Sequence, residues 1–226
     1  MKKPKKLFFT RHGKTAYTGE FPDLTPEGIA QAFQVAGQIA DIIARFNTTD
    51  VSIISSPLPR ALGTASIIAS KIEYPQQAIK HEPAIRCMDF YNPEQAEMIW
   101  KSFGSARAVD IAYSDDPRFE QGFIVEKRSA IQRRFYRYLG ELFERFISDD
   151  LPDVMIHTTH YEVLWQIALK AINRHNVESP PLSHCELIQL DLEEVRGLQV
   201  RTHITFRGFT DMMCFKLPST LFGDQF

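Results

Sequence analysis

Short apolar runs alternate along the chain with stretches whose apolar residues recur every three to four positions, the pattern of buried strands followed by amphipathic helices. Lys6 to Thr10 is an apolar run closed by Arg11-His12-Gly13, which predicts a strand that delivers polar side chains at its C-terminal end. Leu24-Thr25-Pro26-Glu27-Gly28 carries the marks of a helix start, with Thr25 as N-cap, Pro26 at the first helical position and Glu27 in the first turn. Ile29, Ala32, Phe33, Ala36, Ala40 and Ile43 then define the expected apolar face of that helix.

Val51 to Ser55 reads as a second strand, Ser56-Pro57-Leu58-Pro59 as a turn, and Arg60 to Ile72 as a helix, so Arg60 sits at a helix N-terminus. A long helix is expected within Glu126 to Ile147, where Ile131, Phe135, Tyr138, Leu142 and Phe146 recur at helical spacing. Val154 to Thr159 predicts a strand and Glu162 to Ile172 a helix.

Repeated strand–helix units imply crossover connections, and the expected class is α/β: a three-layer α/β/α sandwich with a mostly parallel central sheet. Leu187 to Leu192 and Leu198 to Phe206 predict two later strands that extend the sheet antiparallel at its edge. From about 90 to 122 the chain has aromatic residues (Trp100, Phe103 and Phe119) without a period, and this segment reads as an inserted cap. With no repeat and no Gly/Ser-rich linker, residues 1–226 are expected to form one domain.

A composition of 44% hydrophobic and 24% charged residues excludes a disordered chain. The formal net charge of -2 gives no general pull toward nucleic acid or an anionic membrane, so any anion affinity must come from locally grouped Arg and His. Lysines 2, 3, 5 and 6 read as a solvated tail, and the run after them is too short for a signal peptide. Cys87, Cys185 and Cys214 are odd in number and widely spaced, which points away from disulfides and toward a reducing cytoplasm. Oligomeric state is open.

Ligands of open α/β sheets bind beyond the carboxyl ends of the strands, and three strand ends here present Arg11-His12, Arg60 and His160. Two guanidinium forks and a helix N-terminus suit a phosphate dianion. A neutral His12 has a ring nitrogen free to attack phosphorus, and a protonated His160 would donate to the phosphoryl oxygens. His157 raises the alternative of an HxxH metal pair, but residues three apart on a strand point to opposite faces. His157 is therefore expected to be structural.

These residues together resemble a known family. Arg11-His12-Gly13-Lys14-Thr15, Leu24-Thr25-Pro26-Glu27-Gly28, Ser55-Ser56-Pro57-Leu58-Pro59-Arg60-Ala61 and a late strand ending at His160 are similar to the histidine phosphatase superfamily, also called phosphoglycerate mutase-like. The resemblance implies a phosphohistidine at His12, a phosphate pocket of Arg11, Arg60 and His160, and no metal or organic cofactor. The expected activity is metal-independent hydrolysis of phosphomonoesters, with a small phosphorylated molecule or a phosphoprotein as substrate. A phosphoglycerate-type mutase and a non-catalytic phospho-ligand sensor or scaffold are the alternatives.

Two positions depart from the family pattern. Where relatives carry a proton-donating Glu, aligning Ile85 and Phe90 puts Cys87. Asp89 is the expected replacement, because an acid shielded from water near a dianion has its pKa raised; Glu94 is a weaker choice. Tyr161 stands where relatives carry Gly after the pocket histidine, and is expected at the substrate together with Lys14 and Thr15.

Overall fold

The computed structural model describes residues 3–16, 23–103, 125–173, 182–196 and 199–216. Its elements run β1 (Lys5–Arg11), α1 (Pro26–Phe46), β2 (Val51–Ser55), α2 (Pro59–Lys71), β3 (Lys80–His81), α3 (Pro93–Phe103), α4 (Arg128–Ile147), β4 (Val154–Thr159), α5 (Tyr161–Asn173), β5 (Leu187–Arg196), β6 (Gln199–Phe206) and β7 (Phe209–Lys216). Most of the expected cap lies outside the described residues, as does the apolar end 217–226; α3 covers the cap's first part.

The strands form one sheet in the order β3-β2-β4-β1-β5-β6-β7. The expectation of a mostly parallel sheet is corrected: β1–β4, β2–β4 and β2–β3 are parallel, whereas β1–β5, β5–β6 and β6–β7 are antiparallel. Parallel neighbours need a crossover, and among the described residues α5 is the last helix. After β5 the links are short. β6 turns into β7 through Arg207 at φ 51 and Gly208 at φ 77, the two-residue hairpin geometry whose twist matches its strands. The sequence reading stops at Phe206 and misses β7 altogether.

Alternating strand residues feed two cores. Phe8, Ile53 and Ile156 pack with Ala32, Val35, Ala36 and Ile39 of α1 and with Ala65, Ile68 and Ala69 of α2. Leu7, Phe9 and Met155 pack on the opposite face with Phe135, Leu142 and Phe143 of α4 and with Leu164, Ile167 and Ala168 of α5. Three layers result. The buried stripe of α1 is rotated from the expected one: Val35 and Ile39 go in, while Ile29 and Phe33 stay exposed. Small alanines let α1 approach the sheet, and its two bulkiest early side chains fall outside that contact.

Thr25 caps α1 as expected, accepting from the Gly28 amide at 3.1 Å. This cap also positions chemistry, because Thr25 N–H donates to the Lys14 carbonyl at 2.9 Å. Gly28 then lies so near the loop after β1 that a Cβ there would sit 2.1 Å from the Lys14 oxygen, and one on Gly13 would sit 2.4 Å from the Gly28 oxygen. Two bare backbones therefore pack against each other directly behind His12.

Candidate active site

β1 ends at Arg11, β2 is followed by Ser56 and α2, and β4 ends just before His160, all at the carboxyl end of the sheet's parallel half. Parallel register brings these ends together: Arg11 pairs with Thr159 and Ser55 with Thr158. The His12 and His160 rings lie 5.2 Å apart between centroids. Four residues from three distant stretches of sequence thus meet at one place.

His12 is 2% exposed, and its tautomer follows from its neighbours. Nδ1 lies 2.7 Å from the Gly13 carbonyl oxygen, which can only accept, so Nδ1 carries the proton and Nε2 keeps its lone pair. Arg60 Nε–H donates to that Nε2 at 3.2 Å. Burial and then the Arg60 charge hold His12 well below the usual histidine range, with smaller contributions from Arg11 and His184. The ring is a neutral base at neutral pH.

Thr64 of α2 fixes this arrangement, accepting from Gly13 N–H at 3.0 Å while donating to the Arg60 carbonyl at 2.9 Å. One hydroxyl thereby ties the loop after β1 to the first turn of α2. Arg11 donates through Nη1 to the Leu182 carbonyl at 2.7 Å, and its guanidinium lies 5.5 Å from the Tyr161 ring centroid. Tyr161 is itself buried and stacked on Trp165, so it forms a platform beneath Arg11.

His160 Nε2 is bonded to Ser56 Oγ at 2.8 Å. Without a ligand, burial pushes the His160 pKa well below the ordinary value, with Arg60 and Arg11 acting in the same direction. A doubly negative ligand would oppose those cations and favour the charged ring. His157, by contrast, bonds Phe8 O at 3.0 Å and Tyr138 Oη at 2.9 Å and stacks on Phe9. It serves the core, as strand parity predicts.

Buried polar atoms without a protein partner concentrate here. Among the described residues, Arg11 Nε, Thr15 Oγ1, His160 Nδ1 and His184 Nε2 are shielded from solvent yet unbonded. Leaving a polar atom in that condition costs about 1–3 kcal/mol, so a cluster of them marks a place built for a polar ligand. Among the described residues no group of His, Cys, Asp and Glu has the arrangement of a metal site.

The remaining expected residues fall differently. Asp89 does not meet the requirement for a proton donor: Arg86 grips its carboxylate through Nε at 3.0 Å and through Nη2 at 2.5 Å, and this pairing lowers its pKa. Glu94 is exposed on α3. Lys14 is exposed and paired with Glu27. Cys87 lies close enough to Arg60 to interact with it, but burial pushes the thiol up to about 12.

Two site residues escape the sequence reading. His184 has its ring 5.6 Å from that of His12 and, through burial, a pKa lowered to about 4; it also borders a cavity of about 500 Å³ beside α1. No spacing pattern announces it, since the turn before β5 brings it in. Glu162, in the first turn of α5, has a pKa raised by burial and is acted on by Arg60 and Arg11. Its signal was a carboxylate two residues after His160, which reads equally well as an ordinary helix-start acid.

Comparison with known proteins agrees with this fold. Solved structures similar in fold include the following three. A mycobacterial glucosyl-3-phosphoglycerate phosphatase superposes with a TM-score of 0.57 at 16% identity, covering 84% of this chain and 91% of its own. A phosphoglycerate mutase from Bacillus anthracis gives 0.58 at 13% identity, covering 95% and 93%. A phosphoserine phosphatase from Entamoeba histolytica, solved with 3-phosphoglyceric acid, gives 0.53 at 19%, covering 95% and 98%. A search of curated sequences finds no match. The family model of the histidine phosphatase superfamily (branch 1) matches residues 7–205, and the chain belongs to that superfamily.

Proposed function

We propose that the protein hydrolyses phosphomonoesters without a metal, through a phosphohistidine on His12. The observation that carries this reading is the fixed tautomer of His12, whose Nδ1 proton is held by Gly13 O while the Nε2 lone pair faces Arg60. A nucleophile needs that lone pair and a low basicity that keeps it free of protons.

Arg11, Arg60 and His160 bind the phosphoryl oxygens, and the unbonded Arg11 Nε and His160 Nδ1 are donors available for them. Nε2 attacks phosphorus in line as the ester oxygen leaves. Positive charge then developing on the imidazole is stabilised through Nδ1–H by the Gly13 carbonyl. Water next cleaves the phosphorus–nitrogen bond and regenerates His12. The substrate is a phosphorylated small molecule or phosphoprotein, bound where Tyr161 beside Arg11 and His184 beside His12 flank the phosphate pocket.

The test is rapid-quench trapping of acid-labile phosphate on the protein from a labelled aryl phosphate, with chelator present. Label on the unsubstituted protein and none on His12→Ala supports the reading. Label that survives His12→Ala sinks it. Return of the trapped phosphate to a second hydroxyl of a sugar acid would make the protein a mutase, and tight phosphate binding without label would make it a sensor.

A further inference from the structure

We propose that Glu186, oriented by Arg207, positions the Arg11 guanidinium for phosphate through a single peptide unit, an assignment that rests on Arg11 as a phosphate-binding residue in the reading above. Arg11 donates through Nη1 to the Leu182 carbonyl at 2.7 Å. The N–H of that same peptide unit belongs to Ser183, and it donates to Glu186 Oε2 at 2.6 Å. A trans peptide is a rigid plane whose C=O and N–H point in opposite directions. Glu186 on one edge of the plane therefore fixes how the other edge presents its oxygen to Arg11.

The carboxylate is itself held. Arg207 donates through Nε to Glu186 Oε1 at 2.6 Å and through Nη2 to Oε2 at 2.7 Å, a bidentate fork that sets both the position and the plane of a carboxylate. Strand register brings the two residues together: Leu187 pairs with Thr10 and Ile188 with Phe206. The residue before β5 and the tip of the β6–β7 hairpin thus lie at the sheet end where β1 delivers Arg11. Arg207 stands at that tip at φ 51.

The turn before β5 grips Arg11 a second time, because Cys185 N–H donates to the Arg11 carbonyl at 3.1 Å. Cys185 sits at φ 56, a left-handed conformation that a non-glycine residue keeps only where its surroundings enforce it. The Leu182 side chain anchors the near end of the turn in the core, whereas Ser183 is exposed. Across the bend the backbone bond from Glu186 N–H to Ser183 O is long, at 3.5 Å, and the Glu186 side chain closes the same residues at 2.6 Å.

Preorganisation of the guanidinium is the consequence. A long side chain that must be ordered on binding loses rotamer freedom at the expense of affinity. Arg11 has one nitrogen tied to Leu182, while its buried Nε is unbonded and open to a ligand oxygen. A carboxylate on the N–H edge also polarises the peptide and makes the Leu182 oxygen a stronger acceptor. Glu186 and Arg207 act through Arg11 and are positioning residues.

The test is a double-mutant cycle on inorganic phosphate affinity, measured by calorimetry on the full chain. Glu186→Ala and Arg207→Ala should each raise the Kd about tenfold, as removal of a partner that orients a ligand-binding side chain does. The two changes combined should cost little more than either alone, because the pair acts as a unit. In an Arg11→Ala background Glu186→Ala should add less than about twofold, since the side chain it positions is gone. Where phosphate binds too weakly to titrate, kcat/KM for an aryl phosphate provides the same cycle. A loss in that background equal to the loss in the parent would overturn the assignment, because a residue that only supports the fold predicts it. Unchanged affinity in both single variants would overturn it as well. If Glu186→Ala melts too low to assay, Glu186→Gln replaces it: the amide keeps an oxygen for Ser183 N–H but loses the charged fork, and its smaller loss should again vanish without Arg11. Failure of phosphate to bind the unsubstituted protein would overturn the phosphate pocket itself, and this assignment with it.

Discussion

Arg60 Nε–H donates to Nε2 of His12 at 3.2 Å, so the lone pair that would attack phosphorus is aimed at the guanidinium that would bind the phosphate. Nucleophile and anion anchor are thus set to one another before chemistry. In the proposed reaction a phosphoryl group would displace the Arg60 N–H from Nε2 and take over the guanidinium donors.

This arrangement predicts that Arg60→Lys is a severe change. A lysine ammonium keeps the charge but lacks the planar fork that serves Nε2 and a phosphoryl oxygen together. The expected fall in kcat/KM is roughly 100- to 1,000-fold, the usual consequence of removing one preorganised donor. Steady-state phosphate release measures it, and a variant within threefold of the parent would contradict the role of the fork.

Acid should destabilise the protein well before its carboxylates titrate. Burial lowers the folded-state pKa of His157 to about 3, against an ordinary value of 6.5. The unfolded chain therefore binds the proton first, and stability present above the ordinary value is lost as pH falls toward about 3. His12, His160 and His184 shift in the same direction. Asp153, held down to about 2 by Lys3, Thr48 and Lys5 against an opposing burial effect, adds its own loss only below the ordinary carboxylate range. Urea unfolding across mildly acid pH should show His157→Gln less stable at neutrality. Its decline with acid should be shallower by about 1.4 kcal/mol per pH unit. An identical slope in parent and variant would mean that His157 takes up its proton in the folded state.

Gly28→Ala tests the contact behind His12. The added methyl would meet the Lys14 backbone oxygen at 2.1 Å and its nitrogen at 2.7 Å, and neither can rotate away as a side chain would. A stability loss of about 1–3 kcal/mol or more is expected, with weaker phosphate binding because the displaced loop carries His12. Gly37→Ala is the control: its methyl meets nothing within 4 Å, and Ala for Gly inside a helix stabilises by about 0.5–1 kcal/mol. Thermal melts and phosphate titrations of the two variants should diverge. Matching behaviour would remove the tight backbone contact as a cause.

By itself the sequence determined the strand–helix units, the Thr25 cap, and the placement of Arg11, His12, Arg60 and His160 at strand ends and a helix start, because those features are local. A buried strand needs an apolar run, a helix start needs its cap, and a phosphate site needs its cations at the strand ends. Strand parity also separated His157 from His160 correctly. The tertiary structure alone decided which way the later strands pair, since sheet direction depends on the connections and the Arg207-Gly208 turn fixed a hairpin that periodicity did not show. It also decided the fate of the acids. Asp89 is a carboxylic acid near pocket residues in sequence, yet Arg86 takes it and lowers its pKa. An acid's strength is set by what surrounds it in space, and in this protein those neighbours come from segments far apart along the chain.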